Sequence, residues 1–282
     1  MALASGQARR HNSRKEETMI FIPAGLAAIA VLFFFLGRKQ GKKALDMQAT
    51  ETSTSADIQR LAKDIATEIG PGALNQTAEL KGLVECSSPL KAEMSGTECV
   101  WYRSTVTREY EESYTEKDSN GNTRHATRRG SENVSTNERR LPFMIKDETG
   151  AIEVDPEGAA MDGERVLSRF EQGEPGATMR IGNFSMHIGA IGSGRRTLGY
   201  KLEEWAIPTG RNIYVLGEAR DDGGRLRVAK PGTKGGRFLI SLKSEEQLVK
   251  AAKTGSTVLG VLSAVSGVAA VVVLVLVLTG VI

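Results

Sequence analysis

The sequence predicts an α+β, β-rich fold: an OB-like or other small barrel domain held between two transmembrane helices. Three observations lead there. Uncharged apolar runs lie near both ends, turn signals cut the polar middle into alternating segments, and one amphipathic helical stretch introduces that middle. Hydrophobic residues make up 40% and charged residues 25% of the 282, ordinary globular values, and with only eight prolines the composition argues against wholesale disorder. The net charge of +3 is too small and too dispersed to argue for nucleic acid.

Residues 1–18 form a polar tail. Met19 to Leu36 then runs without a charge. At 1.5 Å per residue it covers about 27 Å, enough for the hydrocarbon core. A cleaved signal peptide is the rival reading, but the run is followed by Gly37-Arg38-Lys39 instead of a small-residue cleavage site. Arg38, Lys39, Lys42 and Lys43 read as a stop to translocation, and Pro23 is tolerated in a membrane helix. From Thr254 to Ile282 no residue is charged, which is longer than the ~20 residues a span needs. A buried core helix is the soluble alternative, and a run of this length without a polar face fits it poorly. Ser256, Gly260 and Ala264, then Ser263 and Gly267, are spaced for close helix packing, so a helix-mediated oligomer is one expectation.

Residues 44–253 form the soluble domain between the spans. Ile58, Leu61, Ala62, Ile65 and Ile69 follow helical spacing, with Thr54 and Asp57 placed as a capping box and Gly70-Pro71-Gly72 as the stop. Leu80 to Cys86 reads as a short strand and Cys99 to Tyr110 as a longer one. The turn signal Asp118-Ser-Asn-Gly-Asn122 returns the chain through Thr123 to Asn137 as a polar hairpin. Glu148-Thr149-Gly150 joins a second hairpin, and Asp221-Asp-Gly-Gly224 a third. Phe238 to Ser241 is a last strand, and Glu245 to Lys253 a charged helix running into the membrane. Short strands joined by such turns suggest a barrel or sandwich.

The search for chemistry yields no catalytic constellation, metal set or cofactor motif. The Gly clusters Gly189 to Gly194 and Gly232 to Gly236 do not fit a phosphate-binding loop, and no nucleophile elbow is present. His11, His125 and His187 are scattered. The pairs Glu203-Glu204 and Asp221-Asp222 read as solvated turn residues. Arg103, Arg108, Arg124, Arg128 and Arg129, interleaved with Glu109, Glu111, Glu112 and Glu116, read as a solvated or protein-facing surface. Cys86 and Cys99 stand at strand boundaries around Pro89. They are either a disulfide, if the compartment is oxidising, or two small core residues.

The order of several segments resembles the GIDE, or beside-a-membrane (BAM), domain family. These are Met47 to Thr54, Pro89 to Arg103, Pro142 to Gly150, Glu203-Glu-Trp205, Ile213 to Ala219 and Phe238 to Ser241. The fingerprint positions are Pro89, Gly96, Cys99, Gly150, Trp205, Gly217 and Glu218. The resemblance implies a domain held between two membrane helices that binds a membrane or soluble protein partner beside the lipid bilayer. In organelle-anchored ubiquitin ligases of this kind a zinc RING follows the second helix. This sequence departs there. It holds two Cys and three His, whereas a cross-braced two-zinc module needs about eight such ligands. The expectation is therefore a partner-binding membrane protein without its own catalysis, resembling bacterial, particularly cyanobacterial, members. A ligase subunit whose RING is supplied in trans is the alternative.

Topology follows from positive charge near the spans. The first span is balanced, with Arg9, Arg10, Arg14 and Lys15 before it and four basic residues after it. Lys243, Lys250 and Lys253 precede the second. In a bacterial inner membrane this places the domain in the cytoplasm, with reduced thiols. In an organelle envelope the resemblance implies the intermembrane space.

Overall fold

The computed structural model describes residues 21–41, 52–117, 121–173, 176–188, 195–233 and 235–279. The described residues contain three helices: α1 (Phe21–Gly41), α2 (Ser55–Glu68) and α3 (Glu245–Leu278). Two compact units result, a β-rich one over Thr50–Ser244 and a helical one containing α1 and α3.

Both α1 and α3 are long and apolar enough to cross a membrane. Glu245 to Lys253, read as a separate charged helix, is the first part of α3. Along α1 the covered positions include Pro23, Leu26, Ala30, Phe33 and Gly37, at the three-to-four spacing of one helical stripe, and the stripe ends at Gln40 and Gly41. That stripe meets α3 antiparallel. Ser263 Oγ donates to the Ala30 carbonyl at 2.9 Å, and Ser256 Oγ to the Gly37 carbonyl at 3.1 Å. A Cβ on Gly37 would stand 3.3 Å from Leu259 Cβ, so the small residue sets the helix separation. Of the small residues picked out on α3, Ser256 and Ser263 face α1. Gly260 and Ala264 are exposed.

In the β-rich unit, α2 begins at the expected capping box, with Thr54 Oγ1 accepting from the Asp57 N–H and the Asp57 carboxylate accepting from the Thr54 N–H. The barrel is built from β1 (Asn75–Glu85), β5 (Phe143–Lys146), β6 (Ala151–Val154), β12 (Asn212–Asp222) and β13 (Arg225–Ala229). Its closed order is β1-β5-β6-β13-β12, and β12 returns to β1 from Asn75↔Arg220 to Leu83↔Asn212. The β6–β13 joint is parallel and the others antiparallel, which is the OB-like Greek-key arrangement expected from the sequence. Leu80, Val84, Ile145, Ile152, Val154, Val215 and Val228 fill the interior, and Ile58 of α2 packs against the same cluster. Each such side chain contributes about 1.5–3 kcal/mol by leaving water. β14 (Leu239–Ser241) adds to β12, and β7 (Ala160–Asp162) adds parallel to β14.

A second sheet is inserted between barrel strands. It contains β2 (Leu90–Lys91), β3 (Glu98–Lys117), β4 (Thr123–Arg140), β8 (Glu164–Glu171) and β11 (Arg195–Pro208). β3 lies between β4 and β11, and β11 lies between β3 and β8. A small hairpin, β9 (Thr178–Ile181) with β10 (Phe184–His187), packs near it. The β3–β4 ribbon is the polar hairpin expected from the sequence. β8, β9 and β11 lie where the sequence signalled no strands. β11 hides because one of its inward positions is acidic: Tyr200, Leu202, Glu204 and Ala206 are all buried, and a glutamate in that series breaks the apolar alternation.

Candidate functional site

The turn between β5 and β6 is held by its first residue. Asp147 Oδ1 accepts the N–H groups of Thr149 at 2.7 Å and Gly150 at 2.9 Å, and the Thr149 hydroxyl at 2.6 Å. Asp147 Oδ2 accepts the Ser55 N–H at 2.6 Å, and Thr149 Oγ1 accepts the Ala56 N–H at 3.0 Å. The turn therefore satisfies two of the N–H groups that the first turn of α2 leaves without helical partners. Burial alone would raise the Asp147 carboxyl. The hydrogen bonds from Thr149 and Ser55 outweigh it and hold the group at about 2.

Beside this turn a hollow of about 720 Å³ opens on the barrel wall. Gly82, Leu83, Ile213, Tyr214 and Leu242 supply its backbone and apolar surface. Lys81, Lys146 and Lys243 alternate with Glu85, Asp147 and Glu148 around it, so its charged groups balance. Tyr214 is buried and donates its hydroxyl to Glu79 Oε2 at 3.0 Å. Glu79 also accepts from Thr52 Oγ1 at 2.8 Å, which ties the segment leading into α2 to the barrel. Lys146 pairs with Glu85 at 2.9 Å and Lys243 with Asp162 at 3.0 Å. An apolar floor with a rim of mixed charge suits the binding of an amphipathic surface. It does not assemble a nucleophile with a base, and among the described residues no three His, Cys, Asp or Glu side chains converge as a metal-ligand set.

The residues singled out from sequence are spread over the fold. Gly150 lies in the Asp147 turn. Gly217 and Glu218 lie on β12, where a Cβ on Gly217 would meet Val228 Cγ1 at 2.8 Å and Phe238 Cδ2 at 2.9 Å. Glu218 is buried and accepts the Gly232 N–H. Pro89 precedes β2. Gly96 (φ +73°) closes the 92–97 turn in the left-handed conformation that glycine favours. Trp205 packs from β11 against the main core. Cys99 is buried with Ala92, Tyr102 and Ala206, whereas Cys86 packs against the barrel core. Both are free thiols. Burial, reinforced by the nearby Glu204 carboxylate, pushes the Cys99 thiol up to about 11, so it stays protonated at neutral pH.

Two expectations need correction. Glu203 and Glu204 are not solvated turn residues. They stand in mid-strand on β11, with Glu203 paired to Lys201 and Arg165 and Glu204 fully buried. Glu204 accepts the N–H groups of Met94 at 2.9 Å and Ser95 at 2.7 Å, and the Ser104 hydroxyl at 2.8 Å. It is a fastener between the 92–97 turn and the sheet. Arg108 is likewise not part of the solvated ribbon surface. It is 5% exposed, pairs with Glu132 at 2.7 Å and donates to Thr197 Oγ1 at 2.9 Å. The other acidic pair does stand beside its turn, with Asp221 Oδ1 accepting the Gly224 N–H at 2.7 Å. The Gly189–Gly194 cluster lies outside the described residues. Sequence reasoning did not find Asp147, Glu79 or Tyr214. Asp147-Glu-Thr-Gly150 carried an Asx-turn signal, but nothing local marks its reach to α2.

The fold defines a class: an OB-like β-barrel domain continuous in sequence with helices long and apolar enough to span a membrane. A GIDE family profile, described as E3 ubiquitin ligase, matches residues 111–276. That is more than half of the chain, running from the outer part of the β3–β4 ribbon into α3, and the chain belongs to the GIDE family. The match includes Gly150, Trp205, Gly217 and Glu218 and leaves Pro89, Gly96 and Cys99 outside it. No curated protein and no solved structure matches.

Proposed function

We propose that this GIDE protein is a two-pass membrane protein whose barrel domain binds a protein partner beside the bilayer, with no catalysis of its own. The observation that carries the reading is the family match over residues 111–276 in a sequence with only five Cys and His residues, too few for the roughly eight ligands of a two-zinc RING. The apolar floor and balanced rim of the barrel hollow support docking over turnover. The membrane would be the plasma or inner membrane in a bacterium and an organelle envelope in a eukaryote.

The family description favours a second reading, a membrane subunit of a ubiquitin ligase system that borrows its RING from another chain. Purified full-length protein mixed with a ubiquitin-loaded conjugating enzyme tests the first reading. No acceleration of ubiquitin discharge is expected from this chain alone, and acceleration without a second protein would refute it. Acceleration that appears only when a RING protein is added would select the second reading.

A further inference from the structure

β4 is joined to the fold along one side. It pairs with β3 from Trp101↔Arg140 to Lys117↔Thr123, and among the described residues no strand lies against its other side. No backbone hydrogen bond from a described loop reaches that side. The register shifts where Val106 faces Ser135 and Thr107 faces Asn133, so Val134 is the extra residue of a bulge. Residues 123–133 therefore form an unbroken edge, and all of them except Ala126, Gly130 and Glu132 are exposed.

An open edge of this kind is a template for another strand. Chains that keep such an edge single shorten it or place Lys or Pro on it, and β4 has 18 residues with neither. Its own charges select what fits. When two identical strands pair antiparallel about a two-fold axis, residues equally far on either side of the axis face each other. An axis through Gly130 sets Arg128 of each copy opposite Glu132 of the other and opposes no like charges over residues 127–133. Axes through Arg128, Arg129 or Glu132 oppose identical charges, and one through Ala126 opposes Arg124 to Arg128. Axes through Thr127 or Ser131 align no opposite charges within the run. An acidic strand from another protein would suit Arg128 and Arg129 but repel Glu132, whereas a second copy answers both signs.

The local structure leaves room for this pairing. The side chains of Arg128 and Glu132 are 66% and 40% exposed, although each already has a partner in its own chain, Glu112 and Arg108. Gly130 has no side chain to hold two strands apart, because the Tyr110 ring lies across it and a Cβ there would stand 2.6 Å from the Tyr110 hydroxyl.

We propose that residues 127–133 of two copies of this chain pair as antiparallel edge strands about an axis at Gly130, with reciprocal Arg128–Glu132 ion pairs. This dimer goes beyond the partner-binding reading and does not depend on it.

Light scattering of the full chain in detergent micelles, with the detergent mass subtracted, should show a concentration-dependent dimer. Arg128→Glu opposes like charges twice across the axis and should raise the dissociation constant about tenfold. Arg225→Glu, on the barrel, should leave it unchanged. Oxidative crosslinking in a Cys86→Ser chain reads the register, since opposed strand positions stand within about 6 Å. Copies carrying Arg129→Cys mixed with copies carrying Ser131→Cys should crosslink much faster than either variant alone, and so should Thr127→Cys with Asn133→Cys. Circular dichroism and thermal unfolding confirm that each variant folds. A chain that stays monomeric at every concentration overturns the proposal and leaves the edge to a different protein. A dimer that ignores Arg128→Glu and forms none of these crosslinks also overturns it, in favour of association through the apolar helices. Crosslinking that is no faster in the mixtures than in the single variants would contradict the axis at Gly130.

Discussion

The carboxylate of Asp147 accepts the N–H of Ser55 at 2.6 Å across 92 positions of sequence. A hairpin turn of the barrel thereby caps the helix that opens the domain. The joint answers to pH. The folded carboxyl stands at about 2, below its ordinary 3.8. For a depressed group the stabilisation is fully present above the unfolded value and is lost as pH falls through the folded one. The joint should therefore weaken between about pH 4 and pH 2. Asp147→Asn should cost about 1 kcal/mol at neutral pH and lose that part of the acid sensitivity. Amide hydrogen exchange at Ser55 and Ala56 reads the effect locally, and unchanged protection in the variant would count against the cap.

Glu204 should be the most sensitive acidic position of the inserted sheet. Truncation to Ala leaves the Met94 and Ser95 N–H groups without their acceptor in a buried place. A loss of about 3 kcal/mol is expected, and about half of that for Gln, which keeps one acceptor oxygen. Chemical denaturation of the full chain in detergent measures it. A loss below about 0.5 kcal/mol for the Ala variant would return Glu204 to the solvated role read from sequence.

Gly217 is required for space. A side chain there would press on Val228 and Phe238 inside the barrel. Gly217→Val should cost about 1–3 kcal/mol, and Val228→Ala in the same chain should recover part of it. Additive losses in the double variant would contradict the contact.

The barrel was legible where turn signals and apolar alternation coincide. Glu148-Thr149-Gly150 and Asp221 to Gly224 mark two of its hairpins, and Thr54 with Asp57 marks the start of α2. The inserted sheet was legible only in its ribbon. Glu204 and Arg108 occupy inward positions that a hydrophobic pattern assigns to apolar residues, so burial by hydrogen bonding and ion pairing looks in sequence like solvent exposure. The hollow could not be read from sequence because it gathers residues 81–85, 146–149, 212–214 and 242–244, which only closure of the barrel brings together. The fingerprint glycines show the limit from the other side. Gly96 and Gly217 answer to a turn and to packing, so a family pattern marks the fold as readily as it marks a site.

A topology is predicted from Lys243, Lys250 and Lys253, which precede the uncharged run that begins at Thr254. In a bacterial inner membrane the domain should face the cytoplasm. An impermeant maleimide should then label Thr123→Cys, at an exposed ribbon position, only after the cells are opened. Labelling in intact cells would place the domain outside. The added cysteine is needed because Cys99 is buried and Cys86 half-buried.

The central claim, a barrel domain held to the bilayer by apolar helices, is tested most directly by washing membranes that contain the full chain with alkaline carbonate. α1 and α3 are each long and apolar enough to span, so the protein should stay in the pellet, and a chain cut after Lys253 should stay with it through α1 alone. Release of the full chain into the supernatant would show that neither helix crosses the membrane and would contradict the account.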